Sequence, residues 1–170
     1  MIPLNHSYRM LPFESALVHA RRGVIGGGCE CNAGMIGTVD AGIDVPFEIR
    51  RAFYVFDTEA GVVRGCHSNK DSKFALICLT GSCRVRVRKS GIEQEDEIFL
   101  LDQPDKILVL SEMAWKEMYD FSEGSVLLCL SSEKYNSGEY IRNFCDFLEY
   151  VGRAKATSAL NIIKKLNDQL

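Results

Sequence analysis

One short stretch of the chain gathers side chains able to move protons: Arg64-Gly65-Cys66-His67-Ser68-Asn69-Lys70. On a strand, alternation puts His67 and Asn69 on one face and Cys66, Ser68 and Lys70 on the other. An imidazole titrates at about 6.5 and can take and return a proton near neutral pH. A carboxamide does not titrate; Asn69 can orient an oxygen but cannot shuttle a proton. On a small barrel such a pair either points to solvent or lines the cavity, and spacing alone leaves both readings open. Gly65, just before it, admits close approach of another backbone.

Other chemistries find less support. The seven cysteines are an odd number without framework spacing, and Cys29-Glu30-Cys31 lacks a second Cys or His pair at zinc spacing. Cys78 and Cys129 fall inside apolar strand patterns, where a reduced thiol acts as a small hydrophobe. Gly26-Gly27-Gly28 has neither the spacing nor the following Lys-Ser/Thr of a phosphate loop. Twenty Lys+Arg against 23 Asp+Glu give a net charge of −3, which argues against nucleic-acid or membrane-surface partners. Apolar runs are strand-sized, and the first residues lack a basic start followed by an apolar core, so a cytoplasmic protein is expected.

The elements that must position His67 are short strands. At 170 residues the chain suits one domain, in three zones: an arm over 1–33, with a short helix at Phe13–Arg21; strands over 34–131; and helices over 132–170. Strands are predicted at Met35–Asp40, Ile49–Phe56, Lys73–Leu79, Arg84–Lys89, Ile92–Phe99, Ile107–Leu110, Trp115–Asp120 and Ser125–Ser131. Their regular spacing, with no long helix between them, predicts an all-β sandwich or barrel. A turn at Ser90-Gly91 would pair Arg88 with Glu93, Arg86 with Glu95 and Arg84 with Glu97, a charge ladder on a solvated face. Asn136 or Ser137 can cap a helix carrying Ile141, Phe144, Leu148 and Val151 on one side, with Gly152 as its stop. A second amphipathic stretch carries Ala159, Leu160, Ile163 and Leu166.

The run from Arg50 to Val87 resembles the WxcM-like cupins, the family of dTDP-4-keto-6-deoxyglucose 3,4-ketoisomerases. Further matching blocks are Pro46–Arg51, Trp115-Lys116-Glu117-Met118, Asp120-Phe121-Ser122 with Val126–Leu130, and Glu139-Tyr140-Ile141-Arg142. The resemblance covers residues 34–150. It implies a cupin-like (jelly-roll) β-barrel with a C-terminal helical extension, a homodimer, and a dTDP-linked nucleotide sugar as the small-molecule ligand. It also implies a role in deoxysugar and surface polysaccharide biosynthesis.

The departures from the family pattern are chemical. The pattern is Arg-Gly-x-His-x-His-Lys; here its first histidine is His67 and its second is Asn69. A later histidine, after the Trp, is replaced by Lys116. A 3,4-ketoisomerase must take the C3 proton of a 4-keto sugar, hold charge on an enediolate oxygen and return a proton at C4. His67 can be the base, with Tyr54 or Lys116 as the second acid; a lysine needs burial or a nearby cation to titrate near neutrality. Arg51 and Arg64 suit a diphosphate by bidentate hydrogen bonding or form salt bridges to Asp57 or Glu48. Asn69, Lys70 and Trp115 complete the expected substrate contacts, although Trp115 could equally fill the barrel mouth. With one imidazole in the motif and no carboxylate at Lys73-Phe74, no metal and no other cofactor is expected. The primary reading is a nucleotide-sugar ketoisomerase. Its alternatives are a non-catalytic nucleotide-sugar-binding module and an isomerase or epimerase of different regiochemistry.

Overall fold

The computed structural model describes residues 15–19, 21–24, 35–88 and 96–153. Its strands are β1 (Ser15–His19), β2 (Arg21–Val24), β3 (Met35–Thr38), β4 (Arg51–Phe56), β5 (Arg64–Asn69), β6 (Phe74–Thr80), β7 (Cys83–Arg88), β8 (Glu97–Leu101), β9 (Lys106–Leu110), β10 (Trp115–Tyr119), β11 (Val126–Ser131) and β12 (Tyr140–Ile141). A helix, α1, occupies 144–153. No described helix is long and apolar enough to cross a membrane.

Two antiparallel five-stranded sheets, ordered β1-β9-β6-β11-β4 and β12-β5-β10-β7-β8, face each other, and β2 pairs with β3 apart from them. Alternation decides what each strand gives the interior. Phe74, Leu76, Cys78, Leu108, Leu110, Leu127 and Cys129 of the first sheet meet Cys83, Val85, Val87, Leu101 and Met118 of the second. The outer face of the first sheet (Ala75, Ile77, Ile107, Leu130) is covered by Val45 and Phe47. That of the second is covered by α1, whose Phe147 and Val151 pack with Trp115 and Ile141. The result is the expected all-β, cupin-like jelly roll with a helical extension.

Three local expectations change. Within the helix expected at Phe13–Arg21, residues 15–19 are instead strand: β1 pairs with β9 from Ser15↔Leu110 to His19↔Lys106, so part of the arm belongs to the first sheet. The charge ladder does not form, because β7 pairs with β8 in another register, Val85↔Phe99 and Arg86↔Ile98. The turn-based register would have set Val85 opposite Asp96, whereas the observed one puts apolar residues opposite each other on the core side. The arginine row finds its anions elsewhere, Arg84 on Asp120 (3.4 Å), Arg86 on Glu117 (3.2 Å) and Arg88 on Asp96 (3.4 Å).

The third change lies in the C-terminal zone. Asn136 caps only a 3-10 turn, Ser137–Glu139, accepting from the Gly138 backbone N–H. Ile141 is then buried as a strand residue of β12. The helix starts beyond Asn143, whose Oδ1 accepts from the backbone nitrogens of Cys145 (2.8 Å) and Asp146 (3.3 Å). The Ser90-Gly91 turn, the glycine run at 26–28 and the second amphipathic stretch lie outside the described residues.

Candidate active site

β5 begins with a bulge. Arg64 pairs with Met118 and Gly65 with Glu117, but the next pair is His67 with Lys116, so Cys66 is extra on its strand. Gly65 (φ +83°) and Cys66 (φ +49°) both sit in the left-handed region. A side chain at 65 has no room: a Cβ there would lie 2.7 Å from the Lys116 carbonyl oxygen and 2.8 Å from Met118 Cε. Beyond the bulge, Lys116 is opposite both His67 and the core residue Val87. Opposed residues of an antiparallel pair share a face, so His67, Lys116 and Val87 form one row toward the interior.

His67 Nδ1 lies 2.9 Å from the Gly65 carbonyl oxygen. That oxygen only accepts, so Nδ1 carries the proton and Nε2 holds the basic lone pair. Burial, and next the charge of Lys116, push the imidazole down to about 4, while the Gly65 carbonyl and Asn69 pull it the other way. Lys116 is itself 4% exposed. Its Nζ donates to Asn69 Oδ1 at 2.6 Å and lies 4.5 Å from the centre of the Phe74 ring. Burial brings the ammonium down to about 7, and the Glu139 carboxylate opposes that fall. At neutral pH the interior therefore offers a neutral imidazole ready to accept a proton and a lysine balanced between its two forms.

Asn69, expected to touch substrate, is used otherwise. It is 1% exposed; Oδ1 accepts from Lys116, and Nδ2 donates to Glu139 Oε1 at 3.2 Å. Glu139, also buried, accepts in addition from the Ser72 hydroxyl and from the Ser72 backbone N–H at 3.1 Å. The carboxamide is thus a bridge between two buried charged groups.

Four other expected site residues are also placed elsewhere. Tyr54 is 63% exposed on the outer face of β4, against Phe56, because its neighbours Phe53 and Val55 take the inward positions. Trp115 lies on the outer face of β10 under α1, its ring centre 5.0 Å from Phe144 and 5.6 Å from Phe147, with Nε1 donating to Glu117 at 3.1 Å. Lys70 alternates outward from Asn69 and reaches the Gly138 carbonyl at 3.3 Å. Arg64 is exposed at the start of β5. Arg51 does stand on the site's side of β4, with its guanidinium 4.5 Å from the Phe53 ring centre and 5.0 Å from that of Tyr135.

Beside His67 the structure assembles groups that sequence reading passed over. The Tyr140 ring is 4.9 Å from the imidazole, Arg142 lies 4.7 Å over Tyr140, and Tyr135 is 5.8 Å from Tyr140. Together with Arg51 they make a rim of aromatic faces and guanidinium groups, suited to a ligand that is planar at one end and anionic in the middle. Strand alternation in Tyr140-Ile141-Arg142 was the available clue, hidden by the helical spacing from Ile141 onward. A cleft of about 720 Å³ opens beside this group, sharing Tyr135 and Glu139 but otherwise walled by charges of both signs, among them Glu48, Arg50, Asp71 and Glu133.

Known proteins share this arrangement of sheets. A TDP-4-oxo-6-deoxy-alpha-D-glucose-3,4-oxoisomerase from Aneurinibacillus thermoaerophilus is 36% identical over 120 residues, 71% of this chain and 84% of that protein. The crystal structure of a sugar 3,4-ketoisomerase from Thermoanaerobacterium thermosaccharolyticum in complex with TDP matches with a TM-score of 0.72 at 33% identity, covering 82% of this chain and 96% of the other. A 3,4-ketoisomerase from Helicobacter canadensis matches with a TM-score of 0.74 at 31% identity, covering 82% and 98%. The family model described as FdtA: WxcM-like, C-terminal, spans residues 28–152, from before β3 into α1. By sequence and fold alike, the chain belongs to the WxcM-like, C-terminal family.

Proposed function

We propose that the protein is a nucleotide-sugar 3,4-ketoisomerase acting on a TDP-linked 4-keto-6-deoxyhexose, with His67 and Lys116 as its acid–base pair. The observation that carries this reading is the row His67–Lys116 in the barrel interior, where burial brings a lysine to about 7. A titratable group is thereby supplied in a barrel whose motif has Asn69 in place of the second imidazole. His67 Nε2 takes the proton from C3 as the C3–C4 enediol develops, and Lys116 gives a proton to O4. Lys116 then accepts the O3 proton while His67 returns its proton to C4, leaving a ketone at C3 and a hydroxyl at C4. Each group ends as it began, as turnover demands. In this reading Arg51 and Arg142 meet the diphosphate, with Tyr135 and Tyr140 beside them.

We further assign a homodimer, since an amphipathic stretch such as that over 159–166 is hard to bury on one small barrel. A cytoplasmic setting and a product entering deoxysugar and surface polysaccharide synthesis complete the proposal. The test is incubation with TDP-4-keto-6-deoxyglucose in deuterated water. Label at C3 or C4 of the recovered sugar, lost in His67→Asn, is the expected result. TDP binding without any label would overturn the enzymatic reading in favour of a binding module.

A further inference from the structure

We infer that Glu139 is a positioning residue: through the Asn69 carboxamide it holds Lys116 in place as the titratable partner of His67. This rests on the acid–base pair proposed above and identifies what maintains it.

The first argument is one of hydrogen-bond polarity. A carboxylate only accepts and an ammonium only donates. Placed between the two, Asn69 has one satisfactory orientation, Nδ2 toward Glu139 (3.2 Å) and Oδ1 toward Lys116 (2.6 Å). The reverse would set two acceptors together at one end and two donors at the other. The carboxylate is fixed in turn by both donors of Ser72, and its own backbone by the Lys70 N–H on its carbonyl at 3.1 Å. Glu139, Asn69, Ser72 and Lys116 are all buried, so losing a partner is costly.

The second argument is charge. The groups facing Lys116 are His67 from β5, Cys129 from β11 and Glu139 from the 3-10 turn, and Arg51 from β4 acts on Cys129. His67 is neutral above about 4. The Cys129 thiol is pushed by burial up to about 12, so it carries no charge at neutral pH. Among these groups Glu139 is left as the anion, one amide away from the ammonium. Its neighbour in sequence, Tyr140, stands against His67. A single turn thus sets both reacting groups.

The experiment follows the side-chain titration of Lys116 by ¹³Cε chemical shift in lysine-labelled protein, assigned with Lys116→Met. Glu139→Gln keeps an acceptor oxygen for Asn69 and removes the charge. The Lys116 midpoint is expected to fall by about one pH unit, the alkaline limb of kcat to move with it, and KM to change little. Glu139→Asp, retaining charge, should restore most of the shift. If Glu139→Gln does not fold, the second arm is Ser72→Ala, which takes away the hydroxyl that fixes the carboxylate and must likewise move the Lys116 midpoint. A folded Glu139→Gln with an unmoved Lys116 midpoint, or an unmoved Lys116 midpoint in Ser72→Ala, overturns the inference. These titrations need no turnover, so a wild type that fails to label sugar would sink the ketoisomerase reading without touching this result.

Discussion

Lys116 and His67 stand directly opposite each other on β10 and β5, and a charge on either one opposes a charge on the other. Two cations in one dry interior are mutually costly, and burial penalises each of them separately. The more basic group keeps its proton to higher pH, so Lys116 titrates at about 7 and His67 at about 4. Between these values the pair is a base facing an acid, the arrangement that enediol chemistry requires.

A pH–rate profile should therefore have two limbs. Below about 4 His67 is protonated and loses its basic lone pair, and above about 7 Lys116 loses the proton it must donate. Deuterium incorporation, read as kcat against pH, is expected to be flat between them. Lys116→Arg keeps a cation but cannot titrate in this range, so it should lower kcat by about a hundredfold or more and abolish the alkaline limb. An unchanged alkaline limb in that variant would assign the limb to another group.

The same depressed values make stability depend on pH. A lysine titrates at about 10.4 in an unfolded chain and at about 7 here. Between these limits the unfolded chain holds more protons, so stability rises with pH and falls again as pH drops toward the folded value. His67 adds a rise of the same sign between about 4 and its ordinary 6.5. Urea unfolding should show wild-type stability increasing from pH 7 to pH 10 by a few kcal/mol relative to Lys116→Met. Parallel curves for the two proteins would contradict the burial argument.

The barrel could be read in advance because the apolar positions of β4, β6, β9, β10 and β11 recur at strand spacing. What escaped were features settled by nonlocal partners. The β7–β8 register follows the fit of Val85 against Phe99, not the turn residues. Glu139 looks like an ordinary first-turn carboxylate until Ser72 and Asn69 are brought to it. Alternation alone puts His67 and Asn69 on one face, since the bulge at Cys66 lies before both. The role of Asn69 was hidden, because a buried cation 47 positions away claims its oxygen.

Tyr54 supplies a negative test of the assignment. Its hydroxyl lies on the outer face of β4, so Tyr54→Phe should leave kcat and KM within about twofold of wild type, about 0.4 kcal/mol. A large loss of kcat would mean that this face reaches an active site, and His67 with Lys116 would then be an incomplete set.

Trp115 should behave as a structural anchor, holding α1 to the second sheet through Phe144 and Phe147. Trp115→Ala should destabilise by about 3–5 kcal/mol, the usual result of emptying a large aromatic site. Trp115→Phe, which keeps a ring under the helix, should retain TDP affinity by calorimetry. Weak TDP binding in a well-folded Trp115→Phe would return this residue to the ligand.

Gly65 joins backbone geometry to chemistry most directly. Its positive φ is strained for any residue with a side chain, and the Cβ of alanine would press on the Lys116 carbonyl oxygen at 2.7 Å. Relief requires β5 to move away from β10, which separates His67 from Lys116 and shifts the carbonyl that fixes the Nδ1 proton. Gly65→Ala should therefore lose at least about 2 kcal/mol of stability. At temperatures where it remains folded, kcat should fall further than TDP binding, since the rim of Arg51, Tyr135, Tyr140 and Arg142 is carried by other strands and turns. Two-dimensional NMR of the His67 ring gives the decisive observation. In wild type Nε2 should report a bare lone pair above pH 5, and in Gly65→Ala a mixture of tautomers; a single unchanged tautomer with full activity would show that the glycine serves the fold alone.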